Sequence, residues 1–148
     1  MKDIVNSPCA VKKAVVTGAA GFIGRALVNK LEEMKVETIA LDVFPMPDTC
    51  NCQSFSMDVS ETGALEPLLD ADTTIFHMAS MASVPGSVKH PRQDFKDSLY
   101  GLFEIIESAR KSGCKVLFPS TASIFDSSNE LPVSERSYVK PSSPYAAA

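Results

Sequence analysis

The stretch "KKAVVTG" at 12–18 is a short β-branched run that ends on a glycine, and "TGAAGFIG" adds two more glycines at three-residue spacing, Gly21 and Gly24. Immediately afterwards the hydrophobic period changes. Phe22, Leu27, Leu31 and Met34 recur at helical spacing, so a strand gives way to a helix across a glycine-rich corner. Further apolar runs follow at "VETIALD" 36–42, "SFSMDV" 54–59, "TTIFHMA" 73–79 and "CKVLFPS" 114–120, each bounded by polar or turn residues. Between the last two, "SLYGLFEIIESARKSG" puts Leu99, Leu102, Phe103, Ile106 and Ala109 on one helical face, with Gly113 as the stop. Strands that alternate with helices build right-handed βαβ units. The predicted fold is therefore α/β: a doubly wound parallel sheet in one domain spanning 1–148. The polar, proline-bearing segment 126–144 reads as a long surface excursion.

Composition narrows the partners. The chain has 148 residues, 45% of them hydrophobic and 22% charged, with a net charge of -4 and no basic stripe. Phosphate-rich nucleic acid and anionic membrane surfaces both require such a stripe, so neither is an expected partner. Asp3 and Asn6 interrupt the start where a signal peptide needs an apolar run, and no stretch has the length of a membrane span. The chain reads as cytoplasmic.

Cys9, Cys50, Cys52 and Cys114 read as reduced thiols. Cys50 and Cys52, one residue apart, are a poor zinc pair without a second pair or nearby histidines, and no metal is expected. His77, at the end of an apolar strand, reads as a packed, hydrogen-bonded imidazole, and His90, before Pro91, as exposed. Met78 and Met81 read as pocket or core filler, and the pairs Glu32–Glu33 and Lys12–Lys13 as solvated faces.

The glycine spacing suits a dinucleotide. Gly18 permits a tight turn, Gly21 withholds a side chain that would keep phosphates away, and Gly24 lets the helix approach the sheet. The helix start then offers unpaired N–H groups and partial positive charge to a diphosphate. Asp42 closes the second strand, where a carboxylate accepts hydrogen bonds from both ribose hydroxyls and repels a 2′-phosphate, which favours NAD over NADP. An aspartate that merely starts a turn is the competing reading of Asp42. Arg25 lies in the helix as a solvated residue.

Taken in order, these segments resemble the extended short-chain dehydrogenase/reductase family, in particular its NAD-dependent nucleotide-sugar epimerases and dehydratases. "VTGAAGFIGRALV" is similar to the family's glycine motif, which implies cofactor contacts at Gly18, Ala20, Gly21, Phe22, Ile23 and Gly24. "MDV" resembles the segment in which Asp58 and Val59 flank the adenine, and "IFHMAS" the one that lines the cofactor with Met78, Ala79 and Ser80. "SVPGSVKHPRQDFKDSLYGLFEIIESAR" resembles the segment that opens the substrate side, implying Ser83 and Val84 against a nucleotide sugar and Ser98 on the cofactor wall. "FPSTASIF" and "SPYAAA" resemble the two catalytic segments, carrying Thr121 and Tyr145.

The resemblance implies a base at Tyr145, with Thr121 sharing its proton relay and also contacting substrate. A free tyrosine is ionised only about one part in a thousand at neutral pH, and bringing it near neutrality takes about 4 kcal/mol of differential stabilisation. In the family a lysine one helical turn later supplies part of that. Its place here would follow Ala148, the last residue, so the resemblance implies a fragment of a longer protein, its Rossmann-type sheet truncated after the fifth strand and its substrate-binding part absent, and expected to be inactive alone. Related dehydratases and decarboxylases carry acids just after Thr121; Ala122 and Ser123 stand there instead, which points to an epimerase. The other readings are a non-catalytic NAD(H)-binding module and a dehydratase or reductase of the same family. Departures occur at Ser98, Leu102, Glu104, Phe125 and Asp126, where the family usually has Asn, Thr, Asn, Tyr and Gly. A homodimer built on the helix at about 92–112 and the helix at Tyr145 is implied for the complete protein.

Overall fold

The structure is a computed structural model, and it describes residues 11–46, 50–80, 82–125 and 131–148. Asp3, Asn6, Cys9, Met81, Asp126 and the start of the 126–144 excursion lie outside the described residues. Five strands form one sheet: β1 (Lys13–Thr17), β2 (Glu37–Asp42), β3 (Gln53–Ser56), β4 (Thr73–His77) and β5 (Lys115–Leu117). Their spatial order is β3-β2-β1-β4-β5, and every pairing is parallel. The helices are α1 (Phe22–Glu33), α2 (Val84–Lys89), α3 (Pro91–Asp94), α4 (Gly101–Ser112) and α5 (Pro144–Ala147). A π-helical turn at Phe95–Tyr100 joins α3 to α4 without a break.

The two-residue period of the strands divides the core into two layers. Val15, Ile39, Leu41 and Ile75 point to the side closed by Ile105 and Ala109 of α4. Ala14, Val16 and Ala40 point to the side closed by Val28 and Leu31 of α1. Both faces of β1 and β2 are thus buried, which explains why these strands read as continuous apolar runs. In register, Thr17 sits beside Leu41 on one flank and His77 on the other, so the ends of β1, β2 and β4 form one rim.

The helical faces differ from expectation. In α1 the buried residues are Gly24, Val28 and Leu31, while Phe22 and Met34 are exposed, because the apolar residue at the helix start lies over the rim rather than the sheet. Leu99 of the π turn and Phe103 and Ile106 of α4 face outward; Gly101, Glu104, Ile105, Ser108 and Ala109 of α4 face in. Gly113 caps α4 in the left-handed region, the stop that the sequence predicts. β5 is shorter than its apolar run and pairs with β4, and its last residue Leu117 and the following Phe118 are about half exposed. Lys12 and Lys13 close ion pairs with Asp72 and Asp70 at 2.8 and 2.9 Å. Such exposed pairs add little stability.

Gly24 fixes where α1 meets the sheet. A Cβ there would lie 2.1 Å from the Gly18 carbonyl oxygen, a backbone atom that cannot step aside. We expect Gly24→Ala to lower unfolding free energy by at least about 2 kcal/mol, read by urea denaturation. At the rim, His77 is 4% exposed and Thr17 Oγ1 lies 2.8 Å from its Nδ1. The same hydroxyl accepts from the Ala79 N–H at 3.2 Å, so one side chain links the ends of β1 and β4. Burial lowers the His77 pKa from 6.5 to about 4. The unfolded chain then binds the extra proton, and about 3 kcal/mol of stability, complete above about pH 6.5, is lost as pH falls toward 4. Unfolding measured across that window should show the slope, and His77→Gln should flatten it.

Candidate functional site

β1 ends at Thr17, and Gly18 turns the chain with φ +63°, a conformation that L side chains rarely adopt. Position 18 has no room either: a Cβ would lie 2.6 Å from the backbone of Met78 and Ala79. The turn is then tied to β2. Ala19 N–H donates to the Leu41 carbonyl at 3.1 Å, and Ala20 N–H donates to Asp42 Oδ2 at 2.9 Å. The other carboxylate oxygen accepts from Phe44 N–H at 3.0 Å. Asp42 is therefore locked between the glycine turn and the chain leaving β2, and each oxygen keeps a lone pair beyond the amide that it accepts.

A cleft of about 970 Å³ opens at this rim, at the carboxyl ends of the strands where open α/β sheets bind ligands. Of the expected cofactor residues, Gly18, Ala20, Gly21, Asp42, Asp58, Val59, Met78, Ala79 and Ser80 all line it. Phe22 and Ile23 begin α1 as exposed residues outside this lining, and Gly24 is packed beneath the turn. Asp58 Oδ1 accepts from the Ser60 N–H and hydroxyl at 2.9 and 2.7 Å. Those bonds, with Lys96 nearby, hold Asp58 below the usual carboxylate range. Its fixed orientation shapes the far wall.

Residues of a dinucleotide-binding site are present in a fitting arrangement. At Gly21 a Cβ would meet only the Gly18 carbonyl within 4 Å, at 3.1 Å, so the glycine keeps the turn's cleft side bare. No side chain caps the α1 start, which leaves its N–H groups for an anion. The volume matches a ligand of cofactor size.

Sequence reasoning missed part of the lining. Val43, Phe44 and Pro45 extend the wall past Asp42, and Gln93 and Asp97 close it from α3 and the π turn. Gln93 Nε2 donates to Asp97 Oδ1 at 2.7 Å, and the four-residue spacing of this pair was a usable signal. Ser98 Oγ, one residue on, is buried without a hydrogen-bond partner.

The second group of predicted residues gathers on neighbouring elements. Thr121 caps the short 3-10 turn Ala122–Ile124, its Oγ1 accepting from Ser123 N–H at 3.1 Å. α5, started by Ser143 and Pro144, packs against α2, α3 and that turn. Tyr145 N–H donates to Ser87 Oγ of α2 at 3.1 Å, across 58 positions of sequence. Ser83 caps α2 by accepting from Gly86 N–H, and Val84 is exposed at the first position of α2. Thr121, Tyr145, Ser83, Val84 and Ser98 are not part of the 970 Å³ cleft lining.

Comparison with known proteins gives one answer. The model of the NAD dependent epimerase/dehydratase family matches residues 14–148. A UDP-glucose 4-epimerase of Mycolicibacterium smegmatis is 33% identical over 147 residues, which cover 91% of this chain and 47% of that protein. The UDP-glucose 4-epimerase of Thermus thermophilus, solved in complex with NAD, superposes with a TM-score of 0.81 at 30% identity, over 91% of this chain and 46% of its own. TunA, an NAD-dependent NDP-hexosamine 5,6-dehydratase involved in tunicamycin biosynthesis, gives 0.81 at 30% identity over 92% and 46%. The chain thus spans about half the length of these relatives. From the glycine turn to the tyrosine helix, it belongs to the NAD-dependent epimerase/dehydratase family.

Proposed function

We propose that this chain is the NAD-binding portion of a nucleotide-sugar epimerase that removes a hydride from a sugar carbon and returns it. The observation that carries the reading is Asp42, anchored through Ala20 N–H at the mouth of the glycine turn and lining the cleft. There the carboxylate would accept the adenosine ribose hydroxyls, the α1 amides and Gly21 would hold the diphosphate, and Asp58 and Val59 would border the adenine. NAD, when bound, supplies the hydride acceptor and donor. Tyr145 would take the proton of the sugar hydroxyl and give it back, with the Thr121 hydroxyl in hydrogen-bond contact with the same oxygen. Ser83 and Val84 would face the sugar nucleotide.

Epimerisation is favoured over dehydration by Ala122 and Ser123, which follow Thr121 without a carboxylate to protonate a leaving hydroxyl. The outward stripe of Leu99, Phe103 and Ile106 supports a homodimer of the complete protein through α4.

Titration of NADH fluorescence tests the site in this chain. Gly21→Val should abolish binding while leaving the circular dichroism spectrum unchanged, and Asp42→Ala should weaken it roughly 10- to 100-fold, the worth of hydrogen bonds to a charged group. NADH affinity that is indifferent to Asp42→Ala would overturn the assignment. In any form of the protein that epimerises a UDP-sugar, Tyr145→Phe should lower kcat by about 10²- to 10⁴-fold with NADH affinity retained. A non-catalytic module would bind NADH normally and show no turnover for that substitution to reduce.

A further inference from the structure

At the opposite end of α1, three ligand-bearing side chains converge outside the lining of the cleft. Helical rise puts Glu32 about 15 Å along α1 from Phe22, beside the amino end of β3 rather than the carboxyl rim of the sheet. There Cys50 Sγ lies 2.8 Å from Cys52 Sγ and 4.0 Å from Glu32 Oε1. One ligand atom from each of the three falls within 4.8 Å of the others. Glu32 is not the purely solvated residue that its sequence suggests: Asn51 N–H donates to its Oε1 at 3.1 Å, so the carboxylate is oriented before any ligand arrives. Both thiols rest against the α1-side core, alongside Val36 and Ala40, and remain partly exposed.

We infer that Glu32, Cys50 and Cys52 form a binding site for a thiophilic divalent cation of the zinc class, separate from the dinucleotide cleft. The donor set is the reason. Two thiolates and a carboxylate suit a borderline-soft ion, and a solvent-facing groove leaves the fourth position to water. Tetrahedral coordination with metal–sulfur bonds near 2.3 Å needs sulfurs roughly 3.7 Å apart, so the thiols must open by about 1 Å. Side chains on a partly exposed loop can do this by rotation about χ1. The Asn51 amide supplies the outer hydrogen bond that ligating carboxylates require.

Charge and proton balance are simple. The cation replaces one proton on each thiol, so two protons leave and a centre of charge −1 forms with Glu32 already ionised. Lys35 lines the same groove and offsets that charge; Glu37 lines it as well.

Cadmium titration of the reduced chain, followed by thiolate-to-metal charge-transfer absorbance with zinc as competitor, tests the site. In a Cys9→Ser/Cys114→Ser background, which keeps Cys50 and Cys52 as the only thiols, we expect one equivalent to bind with the band intact. Adding Cys50→Ser or Cys52→Ser should weaken binding by more than about 100-fold, and Glu32→Gln by about 10-fold. NADH titration of the same variants should be unchanged, which separates this site from the cofactor reading and reports that they are folded. Absence of the band from the background protein, or its persistence with Cys50 and Cys52 both replaced, would overturn the proposal.

Discussion

The approach of α1 to the corner after β1 governs everything else at this rim. Because Gly24 lies against the Gly18 carbonyl, the helix start can sit directly over the end of the central strand. That placement sets the start of α1 beside the glycine turn that lines the cleft, and Ala20 of that turn is within reach of Asp42. A helix displaced by one methyl group would open the contact that orients the carboxylate. The function of the cleft thus begins as a packing problem between two backbones.

Asp42 has bonds that serve the structure and, under the proposed function, lone pairs left for recognition. Its two oxygens already accept Ala20 and Phe44 amides, so the turn-starting reading of a strand-end aspartate is realised here. The cofactor reading does not compete with it, because carboxylate oxygens have further lone pairs. On the other flank, the chain from Ala79 N–H through Thr17 to His77 ties β1 to β4 by polar contacts inside an otherwise apolar rim. Both flanks of the glycine turn are consequently fixed by hydrogen bonds that span 22 and 62 positions of sequence.

Much of this arrangement was legible in the chain. The parallel sheet with helices followed from strand–helix alternation, and the cleft lining from the glycines, Asp42, "MDV" and "IFHMAS", because those signals depend on local backbone chemistry. What remained hidden depended on distant pairing. Periodicity showed that Phe103 and Ile106 share a face, yet it has no sign and could not show that the face turns outward. Glu32 looked solvated and Cys50–Cys52 looked a poor zinc pair, since only the alignment of β3 on β2 brings α1's last turn beside them. Phe44 and Pro45 belong to a loop without a motif, so their place on the cleft wall required coordinates.

The outward face of α4 separates two kinds of mutational tolerance within a single helix. Exchanging Ile106 or Phe103, each about half exposed, for lysine removes little internal packing beyond the stacking of Phe103 on Tyr100, so a library selected only for a folded product would accept such changes readily. Ile105, fully enclosed one position away, would accept almost none. Engineering this chain for higher solubility can therefore proceed on one side of the helix alone, at the expense of whatever that side was kept apolar to meet.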